Sequence, residues 1–139
     1  MMVRQLMQKD LVTILPTSSV HDAATKMKEH HIGSVLITDE GWKLKGILTD
    51  RDIAMAVAAD ARDPKTTCVC DIMTQDPITI NADADFDSAM RIMNKAKIRR
   101  LPVTENGKLM GLISSDDIAA AFKEQFDQFI GLEMAYAKH

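Results

Sequence analysis

The chain has 139 residues, 46% of them hydrophobic and 27% charged, a composition that fits a globular protein with one ordinary core or two small ones. A net charge of −3 and an aromatic content of 4% supply neither the basic face nor the stacking platforms of a nucleic-acid binder, so no nucleic-acid partner is expected. No apolar run approaches the ~18 residues of a membrane span, and residues 1–10 lack a signal-peptide core, so the expectation is a cytoplasmic protein without membrane contact.

Taken in order, residues 12–15 read as a short strand, followed by turn residues and a helix over 20–30. Val20, Ala23, Ala24 and Met27 fall at i, i+3, i+4 and i+7, so this helix buries one stripe, and Ser19 with Asp22 forms a variant capping box at its start. Strands over 34–38 and 44–49 come next. The first is apolar at Val35-Leu36-Ile37, as expected of a strand covered on both faces. A helix over about 50–58 closes the unit.

The same order then repeats. Val12-Thr13-Ile14 answers Ile78-Thr79-Ile80 at an offset of 66, and the offset falls to 65 at Gly46 and Gly111 because the first hairpin is one residue longer. In the second copy Asp85 takes the helix cap, Phe86, Ala89, Met90 and Met93 keep the helical stripe, and Asn106-Gly107 signals a tight hairpin. The spacing predicts two β-α-β-β-α units, over 6–60 and 71–125, joined by a solvated connector over 61–70. The last helix overshoots: Ile118, Phe122, Phe126 and Phe129 keep helical spacing into an extension over 126–139. That stripe either covers a neighbouring subunit or packs on its own unit. The ten Met residues read as fillers of core gaps or of an oligomer interface.

Each copy carries a strand-to-helix corner, Gly46-Ile47-Leu48-Thr49-Asp50-Arg51-Asp52 and Gly111-Leu112-Ile113-Ser114-Ser115-Asp116-Asp117. Gly permits close approach of a backbone or a ligand. Thr49 and Asp52, like Ser114 and Asp117, are three residues apart and share a helix face. A carboxylate that can accept from sugar hydroxyls then sits beside helix N–H groups that favour an anion, which suits a ribonucleotide. The plainer reading is that Ser and Thr cap helices and Asp complements the helix dipole.

Other chemistry is sparse. Cys68 and Cys70 form a C-x-C pair, read as two idle reduced thiols, with a metal or redox role as the alternative. His21, His30, His31 and His139 show no metal-ligand spacing, and no nucleophile–base–orienter set is legible, so neither a metal nor an enzyme is expected.

Asp71-Ile72-Met73-Thr74, Arg99-Arg100-Leu101-Pro102-Val103 and the two G-x-x-[T/S]-x-x-D corners resemble a tandem pair of cystathionine-β-synthase (CBS) domains over roughly residues 6–122. The resemblance implies an α+β fold in which two CBS units pack sheet to sheet about a pseudo-twofold axis. It also implies two clefts at the seam that take an adenosine compound such as AMP, ADP, ATP or S-adenosylmethionine. Position by position, it places ribose recognition on Asp52 and Asp117 with Thr49 and Ser114 beside them. It sets the base against the first strands, Thr13-Ile14 and Thr79-Ile80, and the phosphates near Arg99 and Arg100. In the first unit the arginine positions hold Gly33 and Ser34, so a phosphate there would draw on Arg51 or on charge from across the seam. With only three such arginines, AMP or ADP is favoured over ATP.

The leading functional expectation is therefore a regulatory sensor, a homodimer acting on an unknown effector protein. A ligand-free dimerisation or interaction module and a thiol-based redox sensor are the competing readings.

Overall fold

The computed structural model describes residues 1–137; positions 138 and 139, with His139 and the end of the expected extension, lie outside the described residues. Two sheets face each other. The first contains β1 (Thr13–Ile14), β2 (Ser34–Thr38), β3 (Leu44–Thr49) and β4 (Thr74–Gln75), in that order. The second contains β5 (Ile80–Asn81), β6 (Arg100–Glu105) and β7 (Lys108–Ser114). In each, the opening strand pairs parallel with the next and a hairpin follows, so β1-β2-β3 and β5-β6-β7 are copies of one design. The turn at Asn106-Gly107 has both φ values positive, as a two-residue hairpin requires.

Helices α2 (Val20–His30) and α4 (Phe86–Ala96) hold equivalent positions. Ser19 Oγ accepts from the Asp22 amide at 3.0 Å, and Asp85 Oδ1 accepts from the Ser88 amide at 2.8 Å. These caps satisfy donors the helix starts would leave unpaired. The Asp85 carboxyl is held below its usual range, chiefly by the bond from the Ser88 backbone amide. Both helices end on a left-handed residue, His31 or Lys97, and the next amide, Ile32 or Ile98, donates back to Met27 or Met93. This stop directs Ile32 and Ile98 toward the space between the sheets.

The segments that lead into each unit are exchanged. Helix α1 (Val3–Leu6) precedes the first unit, yet Val3 and Met7 lie in one core with Ile80, Leu101, Val103 and Ile113 of the second. Gln8 bridges to Leu112 of β7 with amide–carbonyl bonds of 2.8 and 3.1 Å. The counterpart segment does the reverse: β4 pairs with β3, and Val69 is fully buried in the first core with Val35, Ile37 and Leu48. A Cβ at Gly46 would stand 2.9 Å from the Thr74 carbonyl oxygen, and one at Gly111 would stand 2.9 Å from that of Gln8. The corner glycines therefore admit the exchanged backbone, with the side chains of Met73 and Met7 over them.

The connector is not wholly solvated. The Val20 and His21 amides donate to the carbonyls of Thr67 and Pro64, so residues 64–69 cap α2. Nor are the cysteines two idle thiols: a tight turn brings the Cα atoms of Cys68 and Cys70 to 5.2 Å, and the pair forms a disulfide flanking buried Val69.

A first corner helix, α3 (Asp50–Ala54), continues into a π-helical turn over Met55–Ala59. The second, α5 (Ser115–Ala137), runs 23 residues. Near its start Ile118 is buried and Phe122 meets Phe86 edge to face at 5.5 Å, so this part packs on its own unit. Beyond it Phe126, Phe129 and Leu132 are exposed. No helix among the described residues is long and apolar enough to cross a membrane.

Exchange of the leading segments makes a specific prediction. Val3→Ala should cost about 2 kcal/mol, and hydrogen exchange should quicken in strand β6 of the distant unit more than in β2. Faster exchange confined to β2 would contradict the exchanged arrangement.

Candidate functional site

Sheet-to-sheet packing leaves two open clefts on the seam, of about 200 and 240 Å³, somewhat smaller than the usual small-molecule pocket. Each is built from the corner of one unit and the strand entries of the other. In the first, the Asp52 cleft, Thr49 and Asp52 of the first unit face Pro77, Ile78, Arg99 and Arg100 of the second. In the other, the Gln8 cleft, Ser114 and Asp116 of the second unit face Val12, Gly33 and Ser34 of the first, with Gln8 alongside.

At the first corner the cap geometry leaves something over. Thr49 Oγ1 accepts from the Asp52 amide at 3.2 Å, and Asp52 Oδ2 accepts from the Thr49 amide at 2.9 Å, a reciprocal capping box. The box uses one carboxylate oxygen. Among the described residues Oδ1 of Asp52 has no hydrogen-bond partner, and the residue lines the cleft. It is a fixed acceptor with a free lone pair, suited to a hydroxyl donor such as a ribose.

The second corner repeats the box with a different outcome. Asp117 Oδ2 accepts from both the amide and the hydroxyl of Ser114, each at 2.9 Å. Its Oδ1 accepts from Gln8 Nε2 at 3.2 Å. Both oxygens are engaged, and Asp116 rather than Asp117 lines the Gln8 cleft. A ligand there would have to displace the Gln8 amide.

The two arginines stand between their own corner and the Asp52 corner of the other unit. Exposed Arg99 donates to Ser115 Oγ at 3.3 Å and approaches Asp116 at 3.7 Å, a surface pair worth little in stability. Arg100 lines both clefts, and no carboxylate of the described residues lies within ion-pairing distance of it. Ile78 is 50% exposed and, with Ile98 and Pro102, gives the Asp52 cleft an apolar wall.

Several sequence-derived site residues lie elsewhere. Ile14 and Ile80 sit in the two hydrophobic cores, and Thr13 and Thr79 line neither cleft. The residues at the clefts are Val12 and Ile78, which stand just before β1 and β5 where the chain enters the sheets. Arg51 is exposed on α3 and lines neither cleft, so it does not compensate for Gly33 and Ser34. Thr49, Asp52, Arg99, Arg100 and Ser114 do line clefts, whereas Asp117 stands behind Ser114. Gln8, Pro77 and Ile98 line the clefts without being among the sequence-derived site residues, although Gln8 and Thr74, like Ile32 and Ile98, share the repeat offset of 66.

Comparison with known proteins agrees with this architecture. The CBS domain family model matches residues 3–59 and 69–124, and the chain belongs to the CBS-domain family. It is 38% identical over 117 residues to protein MK0525 of Methanopyrus kandleri, covering 84% of this chain and 60% of that one. To the CBS domain-containing protein YhcV of Bacillus subtilis it is 33% identical over 117 residues, covering 84% of this chain and 82% of that one. The chain thus spans less than two thirds of MK0525 but most of YhcV. Among solved structures, the CBS domain pair of MJ0100, in complex with 5′-methylthioadenosine and S-adenosylmethionine, superposes with a TM-score of 0.81 at 30% identity. It covers 90% of this chain and 98% of that one.

The corner hydroxyls should carry measurable stability. Thr49→Ala and Ser114→Ala are each expected to cost about 1 kcal/mol in urea denaturation. An unchanged midpoint for both would show that the boxes do not hold these helix starts.

Proposed function

We propose that the chain is a regulatory module that binds an adenosine nucleotide in the Asp52 cleft. The observation that carries this reading is the free Oδ1 of Asp52 facing Arg99 and Arg100 across one apolar-walled cleft. The carboxylate would accept from the ribose hydroxyls, Ile78 and Ile98 would lie against the base, and the arginines would take the phosphate. A guanidinium can grip a phosphate through two parallel bonds, each charge-assisted bond being worth about 1.5–3 kcal/mol net. Two arginines match AMP or ADP better than the larger charge of ATP. The adenosine compounds bound by the MJ0100 pair support the ligand class. Binding would act by favouring one packing of the two units over another, by no more than the ligand's preference between them.

A second reading has its own support. The apolar residues of α5 beyond Phe122 are exposed, Phe126 at 62% and Met134 at 61%. That face would suit self-association as a homodimer, or an effector protein carrying the output of the module. In either case the clefts and the helix would be the input and output ends of one device.

Calorimetry with AMP separates the corners. Asp52→Ala is expected to weaken binding about ten- to hundredfold, whereas Asp117→Ala, whose carboxylate is already engaged, should change it much less. Equal binding by Asp52→Ala and wild type would refute the ribose role of Asp52.

A further inference from the structure

We infer that the two clefts share a single cation, Arg100, so that the chain accepts one anionic nucleotide at a time while an uncharged nucleoside can fill both. The inference rests on the nucleotide reading above and adds how the two clefts are coupled.

Arg100 begins β6, on the seam between the sheets, and contributes to the lining of both clefts. Its reach toward the first unit depends on Gly33. A Cβ at that position would lie 3.0 Å from Arg100 Nη2 and 3.2 Å from Asp50 Oδ2. Gly33 is the repeat counterpart of Arg99, so the first unit lacks a cation where the second has one. It has in its place the space that lets Arg100 cross.

The charges of the clefts differ as a result. The Asp52 cleft has Arg99 and Arg100 against one carboxylate, Asp52. The Gln8 cleft has Asp10 and Asp116, and its one lining arginine is the shared Arg100. A phosphate in the Asp52 cleft would engage the planar donor fork of Arg100 and hold it there. A second phosphate entering the Gln8 cleft would meet Asp10, and Asp116 at 3.7 Å from Arg99, with no lining arginine of its own to hold it, and the first phosphate nearby would repel it. Adenosine carries no phosphate and escapes both penalties. Sharing also gives the coupling a direction: the Asp52 cleft, with its second arginine, fills first.

The full-length chain can be tested with AMP and adenosine, counted by native mass spectrometry and titrated by calorimetry. The ratio of second to first dissociation constants is expected to be at least about tenfold larger for AMP than for adenosine. Half-exposed Ile78 lines only the Asp52 cleft, so Ile78→Trp should obstruct that cleft and release Arg100. AMP should then enter the Gln8 cleft about tenfold more tightly than it does as the second ligand of the wild type. Adenosine affinity for that cleft should not change. Equal ratios for the two ligands, a single bound copy of each, or no gain for AMP in Ile78→Trp would overturn the sharing and leave the nucleotide reading standing. If neither ligand binds the wild-type chain, the nucleotide reading falls and the sharing with it.

Discussion

Everything in this fold depends on the close passage of an exchanged backbone segment over a glycine at each strand-to-helix corner. Thr74 passes over Gly46, and Gln8 passes over Gly111, with a carbonyl oxygen 2.9 Å from where a side chain would begin. Neither unit completes its core without this segment: Val3 and Met7 fill the second, and Val69 fills the first. The two units therefore cannot be treated as independent beads on a string. Each small core gains buried apolar area from residues that belong, in the repeat, to the other copy, which offsets the poor surface-to-volume ratio of units this size.

The same passage determines what the clefts become. Thr74 and Gln8 occupy equivalent places beside the two corner carboxylates, but only Gln8 has an amide long enough to donate to one of them. Asp117 is thereby engaged and Asp52 is left with an open oxygen. A hydroxyl–carboxylate pair that starts a helix thus keeps a spare acceptor, the group proposed above to meet a ribose, at one corner and not at the other. The cap and the site are not alternatives here, because a carboxylate has more acceptor capacity than the box consumes.

Much of this was legible in the residues. Helical stripes, caps at Ser19 and Asp85, the Asn106-Gly107 turn and the repeat offset give α2, α4 and the hairpins nearly to the residue. The exchange was not legible, since an offset of 66 establishes that Met7 and Met73 are equivalent without saying which sheet each joins. The opening strands are two residues long, too short for the sequence to show that Val12 and Ile78, just before them, line the clefts while Ile14 and Ile80 sit in the cores. The repeat assigns Arg99 and Arg100 to the second unit, and only the packing of the two units shows that they also line a cleft with Asp52 of the first. The disulfide of Cys68 and Cys70 followed from local turn geometry that spacing alone does not specify.

The central claim is that one ligand contacts both halves of the chain at once. Amide NMR during an AMP titration tests it most directly. The account predicts that Thr49 and Asp52 in the first unit and Ile78, Ile98 and Arg99 in the second shift together along a single binding curve. Shifts confined to one unit, or found only along the outer turns of α5, would contradict it.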